Sequence, residues 1–199
     1  MQPVAERILS QANTLPEGAL ITAKEFLHLG SRAAVDQALK RLEQRKDLMR
    51  LSRGLYVRPV KTRFGMRAPA PEKVVERLAA TRAEIIAKHG AAAANALGLT
   101  TQVPTRLVFL TSGPSRKLRL GAQEIEMKHA PQWMLLPSQP KAGEAVRALA
   151  WIGQRGASEA LKTLKQKLPP STVEELVAVR PALPSWMSKS IGQVLAAHA

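Results

Sequence analysis

Residues 31–58 read SRAAVDQALKRLEQRKDLMRLSRGLYVR, and this stretch decides the predicted fold of the first part of the chain. Ser31 is a residue type that caps a helix, because its hydroxyl can accept a hydrogen bond from a free backbone N–H. Four apolar residues follow at i, i+3, i+4 and i+7, the spacing of one buried helical face: Val35, Ala38, Leu39 and Leu42. The pattern therefore predicts an amphipathic helix that begins after Ser31.

The opposite face of this helix is polar and carries net positive charge. Its members are Ala33, Gln37, Lys40, Arg41 and Gln44, with Asp36 at the edge. Gln37 has the chemistry to read an adenine edge, and Lys40 or Arg41 can reach a guanine or a phosphate. Arg32 lies nearer the apolar stripe, so it is expected to touch backbone phosphate. A solvated surface helix would show the same amphipathic pattern, so the helix alone does not decide its function.

A short β-hairpin is predicted directly after the helix. Leu48–Leu51 and Leu55–Arg58 are strand-like runs, and the glycine of Ser52-Arg53-Gly54 permits the positive φ of a tight turn. Three arginines project from the hairpin and its tip, namely Arg50, Arg53 and Arg58. Upstream, a helix over 3–12, a strand over 19–22 and a helix over 23–29 complete the order. That order is typical of a winged helix-turn-helix, in which a recognition helix and a β-hairpin wing contact duplex DNA.

Charge is concentrated in the same region. The 199-residue chain has a net charge of +15, and residues 40–67 hold ten Lys and Arg against two acids. This clustering is the electrostatic footprint of phosphate binding. Aromatic residues make up only 4% of the chain, which argues against binding single-stranded nucleic acid by stacking on exposed rings.

Composition also narrows the class of protein. The chain has no cysteine, so a disulfide framework and a thiolate metal site are excluded. No signal-peptide core and no apolar run of membrane-spanning length stands out, so we expect a cytoplasmic protein without a membrane partner. The four histidines are scattered, and neither a nucleophile elbow nor a nucleotide-binding P-loop is present. We therefore expect no enzyme activity, no metal and no cofactor.

The remainder of the chain is predicted to be α+β. Residues 59–71 contain three prolines and several basic residues, and they predict a linker that either tracks bound DNA or merely connects two domains. A helix is expected from Pro71 to His89, with Ile85 and Ile86 among its apolar positions. Strands over 106–111, 117–120 and 123–128 predict a small antiparallel sheet with one buried face. The sequence predicts four helices in the last third, over 141–152, 158–168, 172–179 and 185–197.

Several motifs resemble one known family. RLSRGLYVRP (50–59), ALGLTTQVP (96–104), LVFLTSGPSRKLRLG (107–121), IEMKHAP (125–131) and LPSWM (183–187) occur in this order. They resemble the AbiEi-type antitoxins of type IV toxin–antitoxin systems over nearly the whole chain. The resemblance implies an N-terminal winged helix-turn-helix, residues 1–58, a linker, 59–71, and a C-terminal α/β antitoxin domain, 72–199.

The same resemblance implies a function. It points to an autorepressor that binds inverted repeats in its own promoter as paired monomers, and that counteracts a nucleotidyltransferase-like toxin without a stable complex. The middle motif supplies the candidates for antitoxin function, which are Thr111, Ser112, Ser115, Arg116 and Lys117. From the residues alone, its Ser-Gly-Pro turn is either a plain hairpin connection or a basic loop that contacts an anion. The alternatives are a standalone winged-helix regulator and an RNA-binding or partner-binding adaptor.

Overall fold

The structure is a computed structural model that describes residues 2–136 and 140–195. The chain forms two compact units. Unit 1 comprises residues 1–84 and 116–127, and unit 2 comprises residues 85–115 and 128–199. This division differs from the predicted boundaries at 58/59 and 71/72. Residues 59–84 and the later segment 116–127 pack with the N-terminal elements and belong to the same unit.

Helices and short strands alternate along the described residues. The α-helices are α1 (Val4–Thr14), α2 (Arg32–Gln44), α3 (Pro71–Arg82), α4 (Gly90–Ala96), α5 (Pro140–Ile152), α6 (Gln154–Lys167), α7 (Pro170–Ala178) and α8 (Ser185–Leu195). The strands are β1 (Leu20–Thr22), β2 (Met49–Ser52), β3 (Leu55–Val57), β4 (Val60–Thr62), β5 (Gly65–Arg67), β6 (Ile86–Lys88), β7 (Leu107–Thr111), β8 (Arg116–Leu120) and β9 (Gln123–His129). Short 3-10 helices cover Ala23–Leu29, Gln132–Met134 and Arg180–Ala182. The fold is therefore mixed α+β with small antiparallel sheets, as predicted.

Unit 1 is built on a three-stranded antiparallel sheet with the order β1-β3-β2. The core under it joins α1, the first 3-10 helix and α2, and its fully buried members include Ile8, Ile21, Leu39, Leu42 and Leu48. The predicted helix over 23–29 has the predicted bounds but 3-10 geometry. Gly30 and Ser31 separate it from α2, so the two helices follow each other across a tight connection.

The predicted linker contains a second hairpin rather than an extended connector. Strands β4 and β5 pair antiparallel, with Val60 opposite Arg67 and Thr62 opposite Gly65. Thr62 closes the turn, since its Oγ1 donates to the Gly65 carbonyl at 2.8 Å and accepts from the Phe64 amide at 3.2 Å. Gly65 has φ +111°, a backbone conformation that glycine adopts without strain. We call residues 60–67 the second hairpin.

The predicted helix from Pro71 to His89 is too long by seven residues. Helix α3 ends at Arg82 because Ala83 adopts the left-handed conformation, with φ 52°. Ile86 then lies in β6, where it pairs with Thr111 of β7. Ile86, whose side chain fitted a helical stripe, is therefore part of a strand, and its pairing partner lies 25 residues further along the chain.

Strand β8 forms a hairpin with the part of β9 that belongs to unit 1. Leu118 stands opposite Ile125, and both side chains are buried, as are Leu120 and Met127. This hairpin packs against β2, and the Met49 Cε atom lies next to the turn at Gly121. Residues that follow β7 in sequence therefore complete the packing of the first sheet.

Unit 2 holds a helical core and the β6–β7 pair. Helices α5 to α8 bury its largest cluster, which includes Val146, Leu149, Leu161, Met187 and Ile191. Helix α4 packs closely on α5. All three tryptophans lie in this unit, where Trp133 and Trp186 pack on the helical cluster and Trp151 is 40% exposed. The predicted last helix ends at Leu195, and its residues 196–197 lie outside the described residues.

Over the described ranges, 2–136 and 140–195, no helix combines the length and the apolar content needed to cross a bilayer.

Glu17 joins the second hairpin and α3 to the start of unit 1. Its carboxylate accepts hydrogen bonds from Lys73 Nζ at 2.5 Å, the Ala70 amide at 3.0 Å and Arg67 at 3.1 Å. The bonds from Lys73 and Ala70 hold the pKa of Glu17 at about 2, well below its ordinary value of 4.5. The stability that this carboxylate contributes is therefore complete above about pH 4.5 and is lost as the pH falls toward 2.

We expect Glu17→Gln to remove this pH dependence from unit 1. At pH 6.5 the variant should unfold in less urea than the parent chain. This difference in urea midpoint, the gap, should shrink between pH 4.5 and pH 2. Circular dichroism in urea titrations at pH 6.5, 4 and 3 measures the gap. Tryptophan fluorescence, which reports unit 2, provides the control and should move little. A difference that stays constant down to pH 3 would show that the charge of Glu17 does not matter.

Candidate nucleic-acid interface

Helix α2 presents the predicted polar face to solvent. Ser31 accepts a hydrogen bond from the Ala34 amide at 3.3 Å, which confirms the predicted N-cap. The four predicted apolar positions are all buried, and Val35 and Leu42 are completely so. All five residues predicted on the outer face are exposed, namely Ala33, Gln37, Lys40, Arg41 and Gln44, and so are Ser31 and Arg32. The helix therefore offers an exposed face that is polar apart from Ala33.

The β2–β3 hairpin follows α2 as predicted and presents a basic tip. Gly54 has φ +70° in its turn, and Arg53 beside it is exposed. Arg50 is exposed on β2, and its Nε donates to the Ser52 carbonyl at 3.3 Å. Arg58 comes just after β3 and is half-buried. The first predicted strand begins one residue too early, since β2 begins at Met49. The second ends one residue too late, since β3 ends at Val57.

Tyr56 ties the hairpin to the hydrophobic core of unit 1. It stands opposite Arg50 in the β2–β3 register and is 7% exposed. Burial raises the pKa of its phenol, and the nearby Arg50 partly offsets this effect. The hairpin is therefore fixed at its base while its tip stays in solvent.

The cations of unit 1 fall into two groups according to their partners. Arg45 contacts Glu6 at 2.8 Å and Asp47 at 2.9 Å, and these carboxylates raise its pKa. Arg32 is paired with Asp36 at 2.9 Å. By contrast, Lys40, Arg41, Arg53, Arg58, Lys61 and Arg63 form no ion pair with any residue that the structure describes. The uncompensated charge is thus densest on the outer face of α2 and along the two hairpins, although single cations elsewhere in unit 1 also form no ion pair among the described residues: Arg7, Lys24, Arg77, Arg82 and Arg119.

The second hairpin adds a surface that the sequence analysis did not include among the site residues. Phe64 is 86% exposed and Met66 is 58% exposed. The Arg63 guanidinium carbon lies 4.5 Å from the centroid of the Phe64 ring. One sequence signal could have drawn attention to it, since residues 48–71 contain six cations and no acid.

The candidates for antitoxin function lie at the β7–β8 connection, and each has local partners. Thr111 is buried, and its Oγ1 accepts from the Gly113 amide at 3.0 Å. Ser112 Oγ accepts from the Ile85 amide, and Ser115 Oγ accepts from the His129 amide, both at 2.9 Å. These bonds hold the turn in shape, and both serines remain exposed.

The two basic candidates are paired with acids within unit 1. Arg116 is only 14% exposed and forms a two-pronged ion pair with Glu84, at 3.0 Å for its Nη1 atom. Lys117 contacts Glu124 across the β8–β9 hairpin at 2.9 Å. Arg116 therefore has a structural role, while the more exposed Lys117 can still meet a partner molecule.

Unit 2 contains a buried arginine that the sequence analysis did not single out. Arg147 is 6% exposed, its Nη1 donates to the Met134 carbonyl at 3.1 Å, and its Nε has no partner among the described atoms. Burial lowers its pKa. It borders a cavity of about 290 Å³ with His89, Leu110 and Trp151, and the described lining includes no carboxylate, serine or cysteine. Among the described residues, no three His, Cys, Asp or Glu side chains converge to hold a metal ion.

The fold and this surface define an α+β protein whose N-terminal unit bears an exposed, uncompensated basic face. The chain belongs to DUF6088, a family of unknown function, and the match spans residues 7–175. The crystal structure of the RV2827C protein from Mycobacterium tuberculosis superposes with a TM-score of 0.57 at 18% sequence identity, over 98% of this chain and 77% of that one. The likeness indicates a shared fold. No curated protein matches the sequence significantly.

Proposed function

We propose that unit 1 is a winged helix-turn-helix domain that binds duplex DNA. The order of its elements supports this proposal, because α1, β1, the 3-10 helix, α2, β2 and β3 follow one another as in that class of domain. The sheet order β1-β3-β2 places the second strand of the hairpin, β3, between β2 and the first strand of the chain. In this assignment α2 is the recognition helix, and the β2–β3 hairpin is the wing.

One observation carries the proposal. Among the described residues of unit 1, eight cations without an ion pair lie between residues 40 and 63, on and just after α2 and on the hairpins that follow it, whereas five others are spread over the rest of the unit. Unpaired exposed cations on one fold unit attract a polyanion and release its counterions when they bind phosphate. A merely solvated surface gives no reason for these cations to gather in one region, nor for residues 48–71 to contain no acid.

The chemistry of α2 fits the major groove. Ala33 is small and lies near the N-terminal end, where a recognition helix approaches the bases most closely. Gln37 lies one turn further and can donate to and accept from an adenine, while Lys40 and Arg41 can bind guanine or phosphate. Arg32 is held by Asp36 in the free protein, so it must exchange this partner to contact a phosphate.

The regulatory part of the proposal is repression of the protein's own promoter. Two copies would bind inverted repeats whose centres lie one or two helical turns apart, so that both copies face the same side of the DNA. Footprinting on the native promoter tests this arrangement. Two protected half-sites with that spacing are expected, and a single unpaired footprint would argue against paired binding.

We expect Gln37→Ala and Arg53→Ala to weaken binding in different ways. Gln37→Ala removes a base contact, so it should cost about 1–3 kcal/mol on the operator and much less on random DNA. Arg53→Ala removes a phosphate contact, so it should weaken both duplexes equally and reduce the salt slope by about 0.9. Titration of both duplexes at four salt concentrations measures the two effects. Equal loss on both duplexes for Gln37→Ala would mean that α2 does not read sequence.

We also propose that the protein acts as an antitoxin against a neighbouring nucleotidyltransferase-like toxin. The support is the motif of residues 107–121, which resembles the AbiEi-type antitoxins and forms β7, the turn and β8. Co-expression tests it: the chain should restore growth to cells that make the toxin, and Lys117→Ala should reduce rescue without changing DNA affinity. Absence of rescue would leave a standalone regulator, and rescue with no DNA binding would favour an adaptor that binds RNA or a partner.

A further inference from the structure

Phe64 occupies an unusual position for an aromatic residue in this chain. The chain has three phenylalanines, and the other two, Phe26 and Phe109, are 3% and 7% exposed. Phe64 leaves most of its ring in water, and Met66 on the same hairpin is also exposed. A ring and a thioether left in water forgo the stabilisation that burial gives apolar side chains, so the pair has the character of a binding surface.

The tip of the second hairpin holds Phe64 in a defined place. Both bonds of Thr62 lie within the turn and fix the Phe64 amide and the Gly65 carbonyl. The guanidinium of Arg63 covers the ring at 4.5 Å, the arrangement of a cation–π contact. The tip therefore presents an apolar ring with a positive charge directly beside it.

The base of the second hairpin is fixed to the rest of unit 1. Glu17 accepts from Arg67, the last residue of β5, and from the amide of Ala70 just beyond it. The same carboxylate binds Lys73 on α3. A hairpin that is fixed at its base can transmit the force needed to deform a bound molecule. A flexible linker cannot do so.

The charge of the surroundings identifies the partner as a polyanion. Lys61 and Arg63 have no acidic partner among the described residues, and no acid occurs between residues 48 and 71. One exposed ring is too few for a single-strand groove, which stacks successive bases on several aromatic side chains. Apolar wedges flanked by basic residues are instead the means by which proteins enter the minor groove and kink a duplex.

We infer that the second hairpin is a minor-groove wedge, in which Phe64 inserts at a base step of the bound duplex and Arg63 contacts the adjacent phosphate. This inference rests on the proposed function, since it assigns a further contact to the same duplex. It gives unit 1 a second means of selecting DNA, because flexible pyrimidine–purine steps open more easily than others.

The test compares Phe64→Ala and Phe64→Leu with the parent chain. The full-length proteins bind a duplex that was selected from a random pool and labelled at both ends, and energy transfer between the ends measures bending. A 2-aminopurine placed at successive steps reports unstacking. We expect the parent chain to shorten the end-to-end distance and to raise the 2-aminopurine signal at one step.

Phe64→Ala should bind about tenfold more weakly, in line with the loss of one stacked ring, and should lose the bend and the unstacking signal. Phe64→Leu keeps an apolar wedge and should retain most of the bend and most of the unstacking signal. Val103→Ala removes another largely exposed apolar side chain, 74% exposed, from unit 2 and serves as the control, with no change expected. The ring is exposed, so none of these changes should alter folding.

Two results separate the inference from the proposed function. If Phe64→Ala binds and bends the duplex like the parent chain, while Lys40→Ala binds poorly, the wedge is refuted and DNA binding by α2 stands. If the parent chain binds no selected duplex above background, both fail together.

Discussion

The triple variant Lys40→Ala, Arg41→Ala, Arg53→Ala is expected to lose affinity for its operator by about a thousandfold near 0.15 M salt. This figure corresponds to about 1.4 kcal/mol for each of three lost contacts. The three side chains are exposed and form no ion pair with described residues, so their removal breaks no internal interaction. Alanine also favours the helix at positions 40 and 41, so α2 should remain folded.

The salt dependence of DNA binding by this variant gives a second measure of the lost phosphate contacts. Three fewer neutralised phosphates should lower the slope of log K against log salt by roughly 2.7. A control with the same loss of charge is available in unit 2, where Arg155, Lys162 and Lys189 are exposed. Alanine at these three positions should leave affinity nearly unchanged. If the two triple variants lose the same affinity, net charge alone governs binding and the interface is misplaced.

Gly90→Ala is expected to destabilise unit 2 by about 3 kcal/mol. A Cβ atom at Gly90 would collide with the carbonyl oxygen of Arg147 and lie 2.7 Å from the Cβ of Trp151. Both of these atoms belong to α5, against which α4 packs. A backbone carbonyl cannot rotate away as a flexible side chain can. The helices must therefore move apart, which exposes apolar surface that is now buried.

Tryptophan fluorescence in urea measures this loss, because all three tryptophans lie in unit 2. Gly98→Ala is the matched control at the other end of α4. Gly98 has φ +64°, and the nearest atom to its Cβ position is the flexible Lys167 amine, so a cost of about 1 kcal/mol is expected. A Gly90→Ala variant as stable as Gly98→Ala would contradict the close approach of α4 to α5. DNA affinity at low urea should survive in both variants.

Local patterns were sufficient to predict the exposed face of α2 and the turn of the β2–β3 hairpin. Ser31, the apolar spacing of α2 and the glycine at position 54 each act within a few residues, and the structure places all three as predicted. The exposure of Gln37, Lys40 and Arg41 follows directly from the burial of the opposite stripe. Short-range signals of this kind need no knowledge of the rest of the fold.

The errors arose where distant partners decide the conformation. Ile86 fits a helical stripe, yet β7 captures it into a sheet after Ala83 turns the chain out of α3. The second hairpin is the exception, because its turn is closed locally by Thr62 and Gly65, and the surrounding prolines were given more weight than this turn signal. The other errors depend on distant residues. Likewise, the buried position of Arg147 depends on the packing of α5 on other elements. No local pattern carries this information.

The most direct test of DNA reading by α2 is affinity cleavage from a single introduced cysteine. The chain has no cysteine, so an iron chelate attached through Gln44→Cys labels the exposed face of α2 alone. We predict strand cleavage confined to the footprint on the selected duplex, together with none from the same chelate at Lys189→Cys in unit 2. Cleavage outside the footprint, or equal cleavage from both positions, would contradict the assignment of α2 as the recognition helix.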